Sequence, residues 1–263
     1  MSALLKYELK AGIKALLIWA LSVGGMGLLC IILFKSMEES MAGMADSFAS
    51  MGAFSDAFGM NTLSIATMKG YFATEIGTIH SLGSSLFAAS IATLILSKEE
   101  DGHTAEITFT LPVSRGKVIC VKFLSVILNL LCFTVVCGLL YKAGFLIVGE
   151  EGLGSDFFIF MSLQFLMNIE IATLCFLISA CSKKNKLGIG IGMAMIWYLY
   201  DLMARVIPDL KDMVFISPFS YANATDIFAQ TGDHAGAFVF GIAIILISTI
   251  AAGVIYTRRD LAS

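Results

Sequence analysis

Several ionisable side chains lie within runs of apolar residues, where a charge is costly and therefore informative. Asp201 and Arg205 are four positions apart, which is the spacing of an ion pair along one face of a helix. Glu170 lies near the middle of another run, and Glu75 and His80 are five positions apart on a third. A carboxylate at the centre of a bilayer costs about 2.5–3.5 kcal/mol on insertion scales, so these groups should be paired, protonated or facing a wet cavity.

Two amides, Gln164 and Asn168, precede Glu170 on the same apolar run. A polar set of this kind serves either as hydrogen-bonding contacts inside a helix bundle or as the lining of a path that touches substrate. The sequence leaves both interpretations open for this set and for Glu75 with His80. For Asp201 with Arg205 the spacing favours a structural ion pair.

A second polar constellation lies between apolar runs, in residues 97–117. Acids come first along this segment, a proline follows, and bases come last. Acids followed by bases form a docking surface of both signs, whereas a loop that only sets topology explains the bases but not the acids. The residues that define the segment are Glu99, Glu100, Gly102, Thr104, Glu106, Pro112 and Arg115, with Lys122 just beyond it.

The composition indicates how these residues are positioned. The chain is 58% hydrophobic and only 14% charged, with a mean hydropathy of +0.87, against about 25% charged residues in a soluble domain. Such a chain must use lipid as its solvent. We therefore expect an all-α membrane protein with six transmembrane helices in one domain over residues 1–263. The spans are predicted at about 15–34, 71–96, 118–148, 157–181, 187–207 and 235–256.

The first fourteen residues carry Lys6, Lys10 and Lys14 on one helical face, with leucine and isoleucine recurring beside it. This pattern predicts a short amphipathic helix over 1–14 that lies on the membrane surface, the alternative being a basic flank before the first span. Residues 35–70 and 208–234 are predicted to be outer segments.

The distribution of bases predicts the orientation. Twelve of the seventeen lysines and arginines fall in the first fourteen residues, in and beside residues 97–117, in the turn at 182–186 and in the tail. By the positive-inside rule both termini and residues 97–117 are therefore cytoplasmic. Without a recognisable targeting sequence, the chain fits the plasma membrane of a bacterium.

Several function classes lack their motifs. The chain has no G-x-x-x-x-G-K-[ST] phosphate loop, so any ATP hydrolysis must occur on another polypeptide. The frames of intramembrane serine and metal-dependent proteases are also absent. The cysteines show no metal spacing and are interpreted as reduced core residues; they are Cys30, Cys120, Cys132, Cys137, Cys175 and Cys181.

The string E-E-x-G-x-T-x-E, followed by L-P-V-S-R and a later lysine between spans two and three, resembles the permease of ABC-2 type exporters. The basic amphipathic start and the R-R-D-L tail resemble the family's two ends, and His103 stands where the family often has glycine or a base. The residues carrying the central resemblance are Glu99, Glu100, Gly102, Thr104, Glu106, Leu111, Pro112, Val113, Ser114, Arg115 and Lys122.

The resemblance implies an export permease that pairs with a second permease copy, or a homologous permease, and with two ATP-binding subunits. Residues 97–117 would form the coupling helix, and ATP and Mg²⁺ would bind the partner rather than this chain. No nucleic acid or metal is expected. The Met- and Phe-rich outer segments suit an amphipathic peptide, a lipid-like compound or a drug as substrate. The alternative is an ion-coupled carrier or channel that uses Glu170 or Asp201 as a proton site.

Overall fold

The computed structural model describes residues 2–102, 114–231 and 235–258, and all the regular structure in these ranges is helical. A π-helix over Phe72–Ile76 joins α3 to α4, and 3₁₀-helices cover Pro208–Ile216 and Ser220–Ala222. The α-helices are α1 (Ser2–Ala49), α2 (Ala53–Phe58), α3 (Met68–Tyr71), α4 (Gly77–Leu94), α5 (Lys98–Asp101), α6 (Arg115–Val148), α7 (Gly154–Cys181), α8 (Leu187–Val206), α9 (Ala224–Ala229) and α10 (Ala235–Arg258).

Five of the described helices, α1, α6, α7, α8 and α10, are long and apolar enough to cross a membrane. The predicted all-helical membrane fold is thereby confirmed. The remaining predicted span, 71–96, falls on the π-helix and α4. The hydropathy of α4 is lowered by its serines. Ser81, Ser84 and Ser85 are buried against other helices, so they do not face lipid. The count of six spans stays a prediction.

Helix α1 is one continuous helix of 48 residues, roughly 72 Å long at 1.5 Å per residue. The sequence predicts three parts here, namely a surface helix over 1–14, a span over 15–34 and the start of an outer segment. The structure instead continues the helix through both predicted boundaries. A hydrocarbon core is only about 30 Å thick, so α1 extends well beyond it. Lys6, Lys10 and Lys14 are exposed, as their common face predicts.

Helices α1 and α6 pack in parallel through glycines on both sides of the contact. A Cβ added at Gly12 would lie 2.9 Å from the Asn129 side chain, and one at Gly27 would lie 2.3 Å from Cε1 of Tyr141. Further along, Gly144 of α6 meets Ile31 of α1. Because residue numbers rise together on both helices, the helices run in the same direction. Small residues let two backbones approach closely where lipid provides no hydrophobic drive.

Helices α4 and α7 are also parallel, and polar groups join them at both ends. The Gln164 Nε2 of α7 donates to Ser81 Oγ at 2.6 Å. Near the other end, the Leu96 backbone N–H donates to Ser179 Oγ at 3.0 Å. Between α4 and the neighbouring helices lies an aromatic cluster centred on Phe72. The rings around it, at centroid distances of 5.5–5.9 Å, are Tyr141, Phe145, Phe157, Phe160 and Phe228.

Residues 217–229, here called the inserted segment, lie among the helices rather than over them. Most of their side chains are buried, including Phe219, Tyr221 and Phe228. Tyr221 reaches Glu170, which lies roughly 24 Å along α7 from its beginning at Gly154. The outer location of residues 208–234 stays a prediction, and the apolar side chains of 217–229 are buried inside the bundle. Irregular backbone at this depth is tolerated where protein surrounds it.

Candidate functional sites

A group of four charges, buried at Glu8 and Lys122 and partly exposed at Lys98, joins the beginning of α1 to both flanks of residues 97–117. Glu8 is 2% exposed and forms ion pairs with Lys98 and, at 3.1 Å, with Lys122. Lys122 is fully buried, pairs with Glu99 and donates to the Ile95 carbonyl at 2.7 Å. We call Glu8, Lys98, Glu99 and Lys122 the charge cluster. Its two acids and two bases leave it formally neutral.

The helices position these four side chains from different directions. Glu8 comes from α1, Lys98 and Glu99 from α5 just after α4, and Lys122 from the beginning of α6. The hydrogen bond of Leu96 to α7 fixes the turn before α5. At the end of α10, Tyr256 is buried within electrostatic range of Glu8 and Glu99. The cluster is thus the point where α1, α6 and the end of α10 meet Lys98 and Glu99.

Burial makes the cluster sensitive to the loss of any member. Taking a charge out of water is costly, and the pairing offsets this cost only while every partner is present. Removing one partner of a buried pair typically destabilises a protein by about 3–5 kcal/mol. The cluster therefore holds residues 97–99 in a defined position relative to α1 and α6.

Glu170 lies at a junction of α7, α10 and the inserted segment. Tyr221 donates its hydroxyl to Glu170 Oε2 at 2.8 Å, and both side chains are buried. Gly241 of α10 makes room for this pair, since a Cβ there would lie 2.6 Å from Glu170 Oε2. The hydrogen bond stabilises a carboxyl group within the bundle and fixes the inserted segment to α7.

The two amides of α7 have different environments. Gln164 Nε2 donates to Ser81 Oγ and to the Ala222 carbonyl, at 2.6 and 2.8 Å. Asn168, one helical turn further, is 1% exposed, and neither atom of its amide has a hydrogen-bond partner in the described part of the chain. The two hydrogen bonds of Gln164 join α4 to the inserted segment, as expected of a structural contact.

Asp201 and Arg205 form the predicted ion pair within α8, with Arg205 Nε 2.8 Å from Asp201 Oδ2. The inserted segment adds a third member, because Arg205 Nη1 lies 2.9 Å from Asp226 Oδ2. The guanidinium thus bridges two carboxylates on different elements. Arg205 also lines a cavity of about 610 Å³ that contains Lys211, Asp56 and Asp226.

Glu75 and His80 are not brought together. His80 is fully buried, and its Nδ1 lies 2.9 Å from the Tyr141 hydroxyl, with Phe133 and Phe160 packed against the ring. Its Nε2 has no hydrogen-bond partner among the residues described. Glu75 lies on the π-helix with its side chain exposed. The contact of His80 with Tyr141 joins α4 to α6.

The six cysteines carry free thiols. Among the described residues, no group of three or more His, Cys, Asp or Glu side chains is arranged to hold a metal ion.

A family model described as ABC-2 family transporter protein matches residues 2–261, nearly the whole chain. The chain belongs to this family. The match confirms the resemblance inferred from the E-E-x-G-x-T-x-E string. ABC-2 permeases are membrane transport components that normally work with ATP-binding subunits, and a multi-pass membrane protein is consistent with the five apolar helices. No curated protein matches the sequence.

In this ABC-2 family protein the structure describes five of the eight predicted coupling residues. Glu99 and Lys122 belong to the charge cluster, Glu100 is buried in α5, Gly102 caps the end of α5, and Arg115 begins α6. The other three, Thr104, Glu106 and Pro112, lie outside the described residues.

Two residues that the structure places in these sites, Glu8 and Asp226, were not predicted from the sequence. No local pattern predicts the role of Glu8, because its partners Lys98 and Lys122 are distant in the sequence. An acid beside the apolar stripe, rather than on the lysine face, was the available signal. Asp226 was overlooked because nothing in the sequence marks the inserted segment as lying against α8.

Proposed function

We propose that the chain is the permease subunit of an ABC exporter, driven by two ATP-binding subunits on separate polypeptides. It crosses the plasma membrane of a bacterium six times with both termini in the cytoplasm. It works as a dimer with a second copy or a homologous permease. Residues 97–117 are the coupling segment, on which an ATP-binding subunit docks. The substrate is an amphipathic or hydrophobic molecule that moves outward.

The single observation that carries this proposal is the charge cluster. Lys98 and Glu99 lie at one flank of the coupling segment, and Lys122 follows the other flank; both flanks are fixed to Glu8 of α1. A force applied to the segment by a docked partner is therefore passed to α1, α4 and α6 together. A loop that only connected two spans would not need ion pairs to both α1 and α6.

The partners of three lysines outside the predicted cytoplasmic segments support a cytoplasmic N-terminus. Lys35 pairs with Glu38, and Lys69 pairs with Asp156 at 3.0 Å. Lys142 lies over the Phe158 ring, 4.4 Å from its centroid. These three lysines have partners at the end of the bundle that is predicted to lie outside, whereas the lysines at the beginning of α1 are exposed. This difference agrees with a cytoplasmic N-terminus.

The length and the burial of α4 support the proposal that this helix is a sixth membrane-spanning segment. Helical backbone runs from α3 through the π-helix to Leu94, and 27 residues would extend for roughly 40 Å if regular, more than a hydrocarbon core requires. Serine-rich α4 does not need an apolar surface, because α1, α7 and α8 surround it.

The cavity beside Arg205 supports a small amphipathic substrate. Its volume of about 610 Å³ falls in the range of pockets that bind drug-sized molecules. Apolar side chains, Ile207, Val214 and Phe215, line it together with the polar Asn61 and Thr62. Such a lining can hold an apolar body and a polar group at once.

The predicted alternative, an ion-coupled carrier, receives less support from the geometry. One oxygen of Glu170 is engaged by Tyr221, and one oxygen of Asp201 by Arg205. A proton-carrying site needs a carboxyl group that can exchange its proton with either side. A carrier also offers no reason for the charge cluster.

Co-purification tests the proposal. The chain is isolated from gently solubilised membranes, proteins with a phosphate-loop sequence are identified, and ATP turnover is measured. We expect an ATP-binding protein to accompany the native chain and to be lost when Asp101→Lys and Lys117→Glu are combined, since both side chains are exposed within the segment and lie outside the charge cluster. Glu151→Lys, in the predicted outer turn, is the matched control and should retain the partner. An equal yield of partner from all the variants, or from none, would contradict the proposal.

A further inference from the structure

A small, partly open cavity of about 30 Å³ lies between α2, α4, α8 and the inserted segment, separate from the charge cluster. This volume holds one or two water molecules or a single ion. The polar residues that line it are Thr78, Ser81, Tyr198, Asp201, Asn223 and Thr225. The π-helix ends beside it, and Ala73 and Gly77 complete this side of the lining.

The hydroxyl hydrogens of three lining residues are already used elsewhere. Thr78 donates to the Thr74 carbonyl, Ser81 to the Gly77 carbonyl and Thr225 to Asn223 Oδ1, at 2.6 to 2.7 Å. What these side chains can offer the cavity is oxygen lone pairs, of which Ser81 keeps only one because its Oγ also accepts from Gln164 Nε2. Donors that remain at the lining come from Tyr198 and from the Asn223 amide nitrogen, so acceptors are in excess.

Asp201 adds the strongest acceptor. Its Oδ2 is bound by Arg205, whereas its Oδ1 is buried and has no hydrogen-bond partner among the described residues. An unpaired carboxylate oxygen inside a protein is costly unless something positive or hydrogen-donating reaches it. Asp201 is 4% exposed, so bulk water does not supply this contact.

The charges of the ion pairs around Asp201 do not balance. Arg205 carries one positive charge between two carboxylates, Asp201 and Asp226, which leaves the group at −1. Lys211 is exposed and lines the neighbouring larger cavity rather than this one. A single added positive charge neutralises the group, and a divalent ion would overshoot.

We propose that this cavity binds one monovalent inorganic cation, with Asp201 Oδ1 as its charged ligand and the Thr78, Ser81 and Thr225 hydroxyl oxygens as neutral ligands. The cation would join α4 and α8 to the inserted segment. The site is independent of the proposed function, since it requires neither an ATP-binding subunit nor a direction of transport.

The test is thermal unfolding of the purified protein in NaCl or KCl against choline chloride at equal ionic strength. Choline is too large for the cavity, so it supplies the ionic strength without binding. We expect a saturable rise in Tm with NaCl or KCl, roughly 3–6 °C at ten times the Kd. Equilibrium binding of radioactive Na⁺ or Rb⁺ should reach one ion per chain. A cavity occupied by water alone would show the same Tm in all three salts and would overturn the proposal.

Two variants assign the effect to this cavity. Asp201→Asn should abolish the cation-dependent rise in Tm, but it also weakens the ion pair with Arg205. Thr78→Val keeps that pair and should raise the apparent Kd roughly tenfold or more. Thr134→Val is the matched control, because Thr134 makes the same bond to the carbonyl four residues earlier in α6 and lies outside the cavity. An unchanged Kd in Thr78→Val would place the cation elsewhere and would overturn the assignment.

Discussion

Glu8 Oε1 lies 3.1 Å from Lys122 Nζ, and neither side chain is accessible to solvent. This ion pair joins the first helix of the chain to the beginning of the helix that follows the proposed coupling segment. Removing one partner of a buried pair leaves the other charge uncompensated, which is strongly destabilising. Here the arrangement fixes α1 and α6 to each other at the end where a partner is proposed to dock.

Glu8→Gln is expected to lower the free energy of unfolding by about 3–5 kcal/mol, because Lys122 and Lys98 would lose their shared carboxylate. Denaturant titration of the purified protein measures the change. Glu38→Gln is the control, since its pair with Lys35 is about half exposed and should be worth at most about 1 kcal/mol. Equal losses in the two variants would contradict the buried cluster.

Gly27→Ala should destabilise the protein by about 1–3 kcal/mol, because the new Cβ would meet the Tyr141 ring at 2.3 Å. Gly25→Ala has nothing within 4 Å and should be neutral or stabilising by up to about 1 kcal/mol, as helix propensity predicts. Thermal unfolding of both variants compares them directly. The same sign of change in both would show that α1 and α6 do not pack as described.

Glu170 and Tyr221 should be energetically coupled across the inserted segment. In a double-mutant cycle with Glu170→Ala and Tyr221→Phe, we expect a coupling free energy of about 1–3 kcal/mol, the range for a buried hydrogen bond to a carboxylate. The free energies of unfolding of the native chain, the two single variants and the double variant give this value. Strict additivity would mean that residues 217–229 do not pack against α7.

Arg205→Met is expected to cost about 3–5 kcal/mol of unfolding free energy, since it leaves the carboxylates of Asp201 and Asp226 without their shared partner. Arg205→Lys should recover only part of this loss, because an ammonium cannot bridge two carboxylates in the way a planar guanidinium does. The control is Lys211→Met, an exposed change expected to stay within about 0.5 kcal/mol. A loss with Lys211→Met that equals that with Arg205→Met would argue against the bridge.

Local periodicity and composition were sufficient to predict part of this architecture. The spacing of Asp201 and Arg205 predicts their ion pair, because a helix places residues four apart on one face. Apolar length predicts five of the spanning helices. The exposed lysine face of α1 also follows from the helical period alone.

The contacts that assemble the sites depend on tertiary packing, which a single sequence does not encode in any short pattern. Asp226 reaches Arg205 only because residues 217–229 enter the bundle, and their length and polarity resemble those of an outer loop. Glu8 is surrounded along the chain by lysines, and Lys122, which it faces, is more than a hundred residues away. The predicted boundaries within α1 were drawn from changes in polarity, but backbone hydrogen bonding carries a helix across such changes.

The most direct test of the central claim is ATP turnover of the chain reconstituted with its co-purified ATP-binding subunit. Glu8→Lys and Lys98→Glu should each keep the subunit bound yet lower substrate-stimulated turnover by about tenfold, because the segment would no longer move α1. The double variant restores one acid and one base and should recover much of the rate. Native rates in both single variants would contradict a coupling role for the charge cluster.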